Sequence, residues 1–149
     1  PDAASEAAIL ELARSRAKAG MVEAKAQVRL LSQSQVFAAR TEVLDMHLAP
    51  ALEKYIVQLV LATRSPATYD EQLARWIAFG ASPRGTIALD RCARAHAWLK
   101  QRDFVSPEDV HAVAADVLRH RVLLTYEAEA EGISSDQVIS RLLELIPLP

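Results

Sequence analysis

Apolar side chains recur at steps of three and four residues along most of the chain, and this spacing restricts the fold more than any other feature. The clearest series begins after Pro50 and comprises Leu52, Tyr55, Ile56, Leu59, Val60 and Thr63. Such steps place side chains on one face of an α-helix. No set of alternating β-branched runs bounded by turns accompanies them in the sequence. We therefore predict an all-α fold, a bundle of about six helices.

Start and stop signals divide this pattern into separate helices. We predict helices over residues 2–18, 50–63, 83–102, 107–118 and 135–146, and a further helix from a cap at Ser32 or Ser34 to about residue 44. Gly20 is expected to end the first helix, and residues 21–31 have no clean period. Residues 71–80 are expected to form an ordered loop with a short helical turn, and residues 122–131 to be helical in part.

Three helix starts carry recognisable capping signals. Ser106 precedes Pro-Glu-Asp, and carboxylates in a first turn complement the helix dipole. Ser134 and Gln137 have the spacing of a capping box. Ser82 is expected to cap the next helix, and Pro83 to be its first residue. Proline suits that position because the N–H it lacks would be unpaired there.

In two of the predicted helices the apolar residues define an expected buried face. In the second helix we expect burial of Val36, Phe37 and Val43. In the helix after Pro83 we expect burial of Ile87, Ala88, Cys92, Ala95, Trp98 and Leu99.

Composition excludes several classes of protein. A formal net charge of -2 provides no general attraction to phosphate backbones or anionic lipid, so nucleic acid is not the expected partner. One cysteine rules out an internal disulfide, and the four histidines lack the close spacing of a metal site. No apolar run approaches the roughly 20 residues that cross a bilayer. We expect a cytoplasmic protein without a membrane segment or a metal site.

Gly80 and Gly85 are spaced as in a P-loop, but the rest of that motif is missing. A P-loop continues with Lys and then Ser or Thr, whereas Thr86 and Ile87 follow here. The notable residue is Arg84, a cation in the first turn of a helix, where it opposes the helix dipole. It could address a phosphate together with free N–H groups, or it could reach a carboxylate or solvent. The residues alone favour the carboxylate or solvent.

Basic residues cluster in the two helices after Pro83 and Pro107. They are Arg91, Arg94, Lys100, Arg102, Arg119 and Arg121. A free-standing helical interaction or DNA-binding module is therefore an alternative interpretation, although few aromatic residues lie among them. A solvated surface is the simpler explanation.

A series of short motifs resembles, in its order, the helical lid subdomain of MoxR-type AAA+ ATPases. The motifs are Tyr-Ile-Val at 55–57, Ala-Thr-Arg at 62–64, Gly-Ala-Ser-Pro-Arg at 80–84, Arg-Asp-Phe-Val-Ser-Pro-Glu-Asp-Val at 102–110 and Leu-Arg-His-Arg at 118–121. The resemblance extends over residues 1–149 and implies a lid that is a fragment of a longer ATPase. The lid of a magnesium chelatase ATPase subunit is an alternative, but the run from Gly80 to Arg84 favours the MoxR type.

The resemblance also implies a role for Arg84. In such ATPases the sensor 2 arginine reaches from the lid to the terminal phosphates of the nucleotide, and Ser82 and Pro83 would shape the helix start that presents it. The family normally has Ala where this chain has Gly85. Glycine at this position should loosen the first helical turn by up to about 1 kcal/mol. ATP with Mg²⁺ would be bound mainly by the core subdomain. The chain contains neither Walker motif and no catalytic residue, so we expect it to be inactive alone.

Partners are likewise implied by the resemblance. They are the AAA+ core subdomain, neighbouring subunits in a homo-hexamer and a protein with a von Willebrand factor A domain. Together they imply a chaperone-like motor.

Overall fold

The computed structural model describes residues 2–19 and 30–149. These residues fall into two compact units, Pro1–Gln35 and Val36–Pro149. The predicted stop at Gly20 and the irregular stretch up to residue 29 lie outside the described residues. In the first unit, helix α1 (Ala3–Ala19) confirms the first predicted helix. Its start is capped by the Asp2 carboxylate, which accepts a hydrogen bond of 2.8 Å from the Ser5 N–H.

Helices also dominate the rest of the chain, so the all-α prediction is confirmed. The helices that follow are α2 (Gln33–Asp45), α3 (Pro50–Arg64), α4 (Glu71–Trp76), α5 (Pro83–Leu99), α6 (Pro107–Leu118), α7 (Tyr126–Ala130) and α8 (Ser135–Leu145). The described residues thus form eight α-helices: the six predicted ones, the short α7, which confirms the partial helicity expected over residues 122–131, and the short α4. Ser32 is the cap of α2, because its hydroxyl accepts from the Gln35 N–H at 3.2 Å.

Two very short strands join the helices. Strand β1 (Ile77–Phe79) pairs antiparallel with β2 (Leu123–Leu124), with an irregular register between Ile77 and Phe79. Residues 71–80 were expected to be a loop with a short helical turn; α4 confirms the helical turn, whereas β1 replaces part of the loop. Strands of two and three residues are too short to show an alternating period, which explains why the sequence did not reveal them.

The core of the second unit is built around α3. Its predicted apolar stripe is confirmed, since all six members are buried: Leu52, Tyr55, Ile56, Leu59, Val60 and Thr63. Side chains of α5, α6 and α8 pack around this stripe. The Ser134 and Gln137 capping box at the start of α8 is also confirmed, with the Gln137 N–H donating to the Ser134 hydroxyl at 3.3 Å.

The predicted buried face of α5 is wrong. The buried residues are Gly85, Leu89, Ala93 and Ala97, which recur every four positions. By contrast, Ile87 is 53% exposed, Leu99 is 71% exposed and Cys92 is exposed, while Ala88, Ala95 and Trp98 are half-buried. Three of these four residues are small and let α6 approach α5 closely, and this packing outweighs the hydrophobicity of the exposed bulky neighbours.

Burial of the α2 residues was also predicted incorrectly. Val36 and Phe37 are 45% and 53% exposed, and Val43 is only half-buried. The reason is that α2 contacts α5 through polar groups near its C-terminal end. The Trp98 indole N–H donates to the Glu42 carboxylate at 2.9 Å, and the Arg94 guanidinium donates to the Met46 carbonyl.

Candidate nucleotide-contact site

Arg84 lies at the second position of α5 and is exposed. The first turn of α5 contains no acidic residue. Within residues 36–149, Arg84 forms neither an ion pair nor a side-chain hydrogen bond. Of the two alternatives that the residues alone favoured, a carboxylate partner is not found in this unit, whereas the exposed side chain agrees with a position in solvent. The arginine extends from a helix start, where both its own charge and the helix dipole attract anions.

The start of α5 is set by backbone contacts rather than by a side-chain cap. Ser82 occupies the N-cap position with an extended backbone, and Pro83 is the first helical residue, as predicted. The expected cap from the Ser82 side chain is absent. Instead, the Gly85 N–H donates to the Ser82 carbonyl at 2.7 Å and closes the first turn. The Ser82 hydroxyl is consequently not used to satisfy the helix start.

The chain just before α5 lies directly against the end of α3. A Cβ atom at Gly80 would lie 2.2 Å from the Thr63 carbonyl oxygen and 2.6 Å from the Arg64 nitrogen. Both are backbone atoms and cannot move aside. Only glycine permits this approach. The close packing of residues 80–81 on the last turn of α3 is called the α3–α5 junction below.

A buried hydroxyl completes the α3–α5 junction. Thr63 is fully buried, and its Oγ1 donates to the Val60 carbonyl at 2.7 Å. The same oxygen accepts a hydrogen bond of 2.9 Å from the N–H of Ala81, which is also fully buried. The sequence reasoning placed Thr63 in the apolar stripe and missed this bond. The only available signal was a polar residue at a core position, since its partner lies 18 residues further along the chain.

Gly85 has a packing role besides its effect on helix propensity. It is buried in the stripe of small residues, and an added Cβ would lie 3.2 Å from the Ala81 Cβ and 3.6 Å from a Leu118 methyl carbon. Alanine at this position would therefore meet the junction at tight contact distance.

The opposite end of α5 is tied to α6 by a buried carboxylate. Asp109 is fully buried and accepts from His96 Nδ1 at 2.7 Å, from the Ser106 N–H at 2.8 Å and from Arg102. Burial acts to raise the pKa of Asp109, but Arg102, Ser106 and His96 outweigh it and lower the pKa to about 2. This cluster has a structural role, because it joins the C-terminal end of α5 to the start of α6, and it lies at the opposite end of α5 from Arg84. It accounts for the predicted capping role of the acidic residues after Ser106.

Most of the predicted basic cluster is occupied by intramolecular contacts. Arg94 pairs with Asp90 at 2.9 Å, and Arg102 pairs with Asp109. Arg119 lies 3.0 Å from Asp136 and 3.1 Å from Asp116, while Arg121 donates to the Val117 carbonyl at 3.0 Å. These contacts neutralise or orient four of the six basic side chains. They leave little of a continuous basic face for a phosphate backbone.

Among residues 2–19 and 30–149, no three His, Cys, Asp or Glu side chains are grouped to hold a metal ion. None of the helices in these ranges has the length and apolar character needed to cross a membrane.

Comparison with known proteins identifies the class. Residues 71–142 match the AAA lid domain family. The chain is 46% identical over 100 residues to "Chaperone MoxR1" of Mycobacterium tuberculosis, covering 66% of this chain and 26% of that protein. It is 42% identical over 110 residues to "Protein MoxR" of Paracoccus denitrificans, covering 69% of this chain and 32% of that protein. A Cytophaga hutchinsonii crystal structure, named provisionally as an ATPase, superposes with a TM-score of 0.77 at 46% identity, covering 80% of this chain and 36% of that one.

The helical architecture and the family match together define a AAA+ lid domain. Within that class, the relatives show that this lid is of the MoxR type. The chain spans between 26% and 36% of the length of the relatives compared.

Proposed function

We propose that this chain is the lid of an ATP-hydrolysing AAA+ motor and that Arg84 is its sensor 2 arginine. The observation that carries the proposal is the exposed guanidinium at the second position of α5, without a carboxylate partner in its own unit. A cation in a first turn costs a few tenths of a kcal/mol to about 1 kcal/mol. A bound polyphosphate would offset that cost, because the arginine and the helix N–H groups would then face the same anion.

The α5 start is suited to a terminal phosphate in two respects. The guanidinium offers a planar fork of N–H donors that matches phosphate oxygens in a bidentate arrangement. The Ser82 hydroxyl is not used as a cap, so it is available to an anion at the helix start. Loss of the terminal phosphate on hydrolysis would remove the strongest contact, and the lid would then be released from its ATP-bound orientation.

The remaining parts of the proposal concern the whole ATPase. The core subdomain that MoxR-type relatives carry would bind most of the nucleotide, and Mg²⁺ would be held there. The lid would also contribute contacts between subunits of a homo-hexameric ring in the cytoplasm. A chaperone-like activity, together with a partner containing a von Willebrand factor A domain, follows only from the resemblance.

The experiment that tests this role compares arginine variants in the full-length ATPase that we propose contains this chain. We expect Arg84→Ala to reduce ATP turnover at least tenfold and Arg84→Lys to restore only part of it, because lysine keeps the charge without the fork. Arg91→Ala is the matched control, since Arg91 is an exposed arginine two turns further along the same helix. Unchanged turnover and nucleotide affinity in Arg84→Ala would refute the assignment.

A further inference from the structure

We propose that Thr63 is a positioning residue for Arg84, acting through the α3–α5 junction. This inference rests on the proposed role of Arg84 and extends it to a second residue that does not touch the nucleotide. Its basis is the buried Thr63 hydroxyl, which donates to the Val60 carbonyl at 2.7 Å and accepts from the Ala81 N–H at 2.9 Å.

The hydroxyl is needed because both partners are shielded from water. A hydroxyl has one hydrogen to donate and lone pairs to accept. Its hydrogen is directed to the Val60 carbonyl, which leaves a lone pair for the Ala81 N–H. Ala81 is fully buried, so without Thr63 this N–H would lack water as a substitute partner. The bond therefore holds the chain before α5 in one position on α3.

The backbone between Ala81, which donates this bond, and Arg84, three residues further on, has little conformational freedom. The contact of Gly80 with the Thr63 backbone fixes how closely the two segments approach. The ring of Pro83 fixes its own φ, and the Gly85 N–H closes the first turn onto the Ser82 carbonyl. The backbone of Arg84 is thus placed relative to α3 by consecutive constraints that begin at Thr63.

Placement of this kind matters for a residue that senses a phosphate. A displacement of about 1 Å in a catalytic site can lower the rate about 100-fold. Arg84 itself is exposed, with a flexible side chain, so the accuracy of its reach depends on its backbone. We infer that loss of the Thr63 hydroxyl loosens the junction and moves the start of α5.

The test uses the full-length ATPase with Thr63→Val, which keeps the shape of the side chain and removes the hydroxyl. We expect kcat to fall about tenfold or more, while Thr63→Ser, which retains the hydroxyl, stays within about twofold of the parent protein. Thr41→Val is the matched control, because the Thr41 hydroxyl bonds only within its own helix, to the Phe37 carbonyl at 3.2 Å. If Thr63→Val unfolds, Thr63→Ala is measured instead, and the same fall in kcat is expected because this variant also removes the hydroxyl.

A double-mutant cycle with Arg84→Ala separates positioning from general damage. If Thr63 acts through the arginine, Thr63→Val lowers kcat in the parent protein but has no further effect once Arg84 is alanine. The same loss in both backgrounds, or no loss in the parent protein, would overturn the inference while leaving the role of Arg84 intact. If Arg84→Ala alone changes nothing, the proposed sensor role itself fails.

Discussion

Replacing Gly80 by alanine should destabilise the second unit more than any other glycine-to-alanine change in it. The φ of Gly80 lies outside the left-handed region, so alanine could adopt the backbone conformation. The obstacle is space, because the new Cβ would lie 2.2 Å from the Thr63 carbonyl oxygen and 2.4 Å from its carbon. Since these atoms belong to the backbone of α3, the junction itself must open.

The expected loss of stability in Gly80→Ala can be estimated from the free energy needed to open the α3–α5 junction. Overpacking a well-packed site typically costs about 1–3 kcal/mol. Separating Ala81 from Thr63 leaves a buried N–H without its acceptor, which costs about a further 1–3 kcal/mol. We therefore expect the free energy of unfolding to fall by about 2–6 kcal/mol. Equilibrium urea unfolding, followed by circular dichroism and tryptophan fluorescence, measures this change as a lower midpoint.

Two other glycines are controls with different physical causes. Gly132 has a φ of 75° and nothing within 4 Å, so alanine there should cost only the backbone strain of about 1–2 kcal/mol. At Gly85, alanine gains up to about 1 kcal/mol of helix propensity. That gain is opposed by the 3.2 Å contact with the Ala81 Cβ, so a small net change is expected. A Gly80→Ala loss no larger than that of Gly132→Ala would show that the junction is not rigid.

The packing of α5, the buried Asp109 carboxylate and the inactivity of the chain alone can each be tested separately. Leu89→Ala, in the buried stripe of α5, should cost about 2–5 kcal/mol in urea unfolding, whereas Leu99→Ala, at an exposed position, should cost little. The pKa of Asp109 is lowered from 3.8 to about 2, so its contribution is present above about pH 4 and is lost as pH falls towards 2. That contribution to the free energy of unfolding is on the order of 2 kcal/mol. Asp109→Asn should therefore make the free energy of unfolding depend less on pH over that range. An unchanged pH dependence would refute this. The chain alone should show no ATP turnover above a buffer control, and measurable turnover would contradict the lid assignment.

Helix starts were predictable from sequence because their signals are local. The Ser106 and Ser134 starts depend on residues within one turn of the helix, and both were placed correctly. The stripe of α3 was also predictable, since its large apolar residues leave one consistent face. Class and main helix positions therefore follow from short-range patterns.

Features that depend on distant partners were not predictable in this way. Three of the four buried residues of α5 are small, and the position of this face depends on how closely α6 approaches, which hydrophobicity alone does not encode. The sequence likewise contains no sign that the Thr63 hydroxyl is paired with a backbone N–H 18 residues away. For Arg84, the sequence indicated an unusual cation at a helix start, and the structure added that no carboxylate of its unit neutralises it.

If Arg84 senses the terminal phosphate, it must contribute to the discrimination between ATP and ADP. The measurement is the ratio of Kd for ADP to Kd for a non-hydrolysable ATP analogue, in the full-length ATPase and in its Arg84→Ala variant. We predict that the variant loses about tenfold or more of the preference for the ATP analogue while its ADP affinity changes little, because the proposed contact is with the phosphate that ADP lacks. An unchanged ratio in Arg84→Ala would contradict the account.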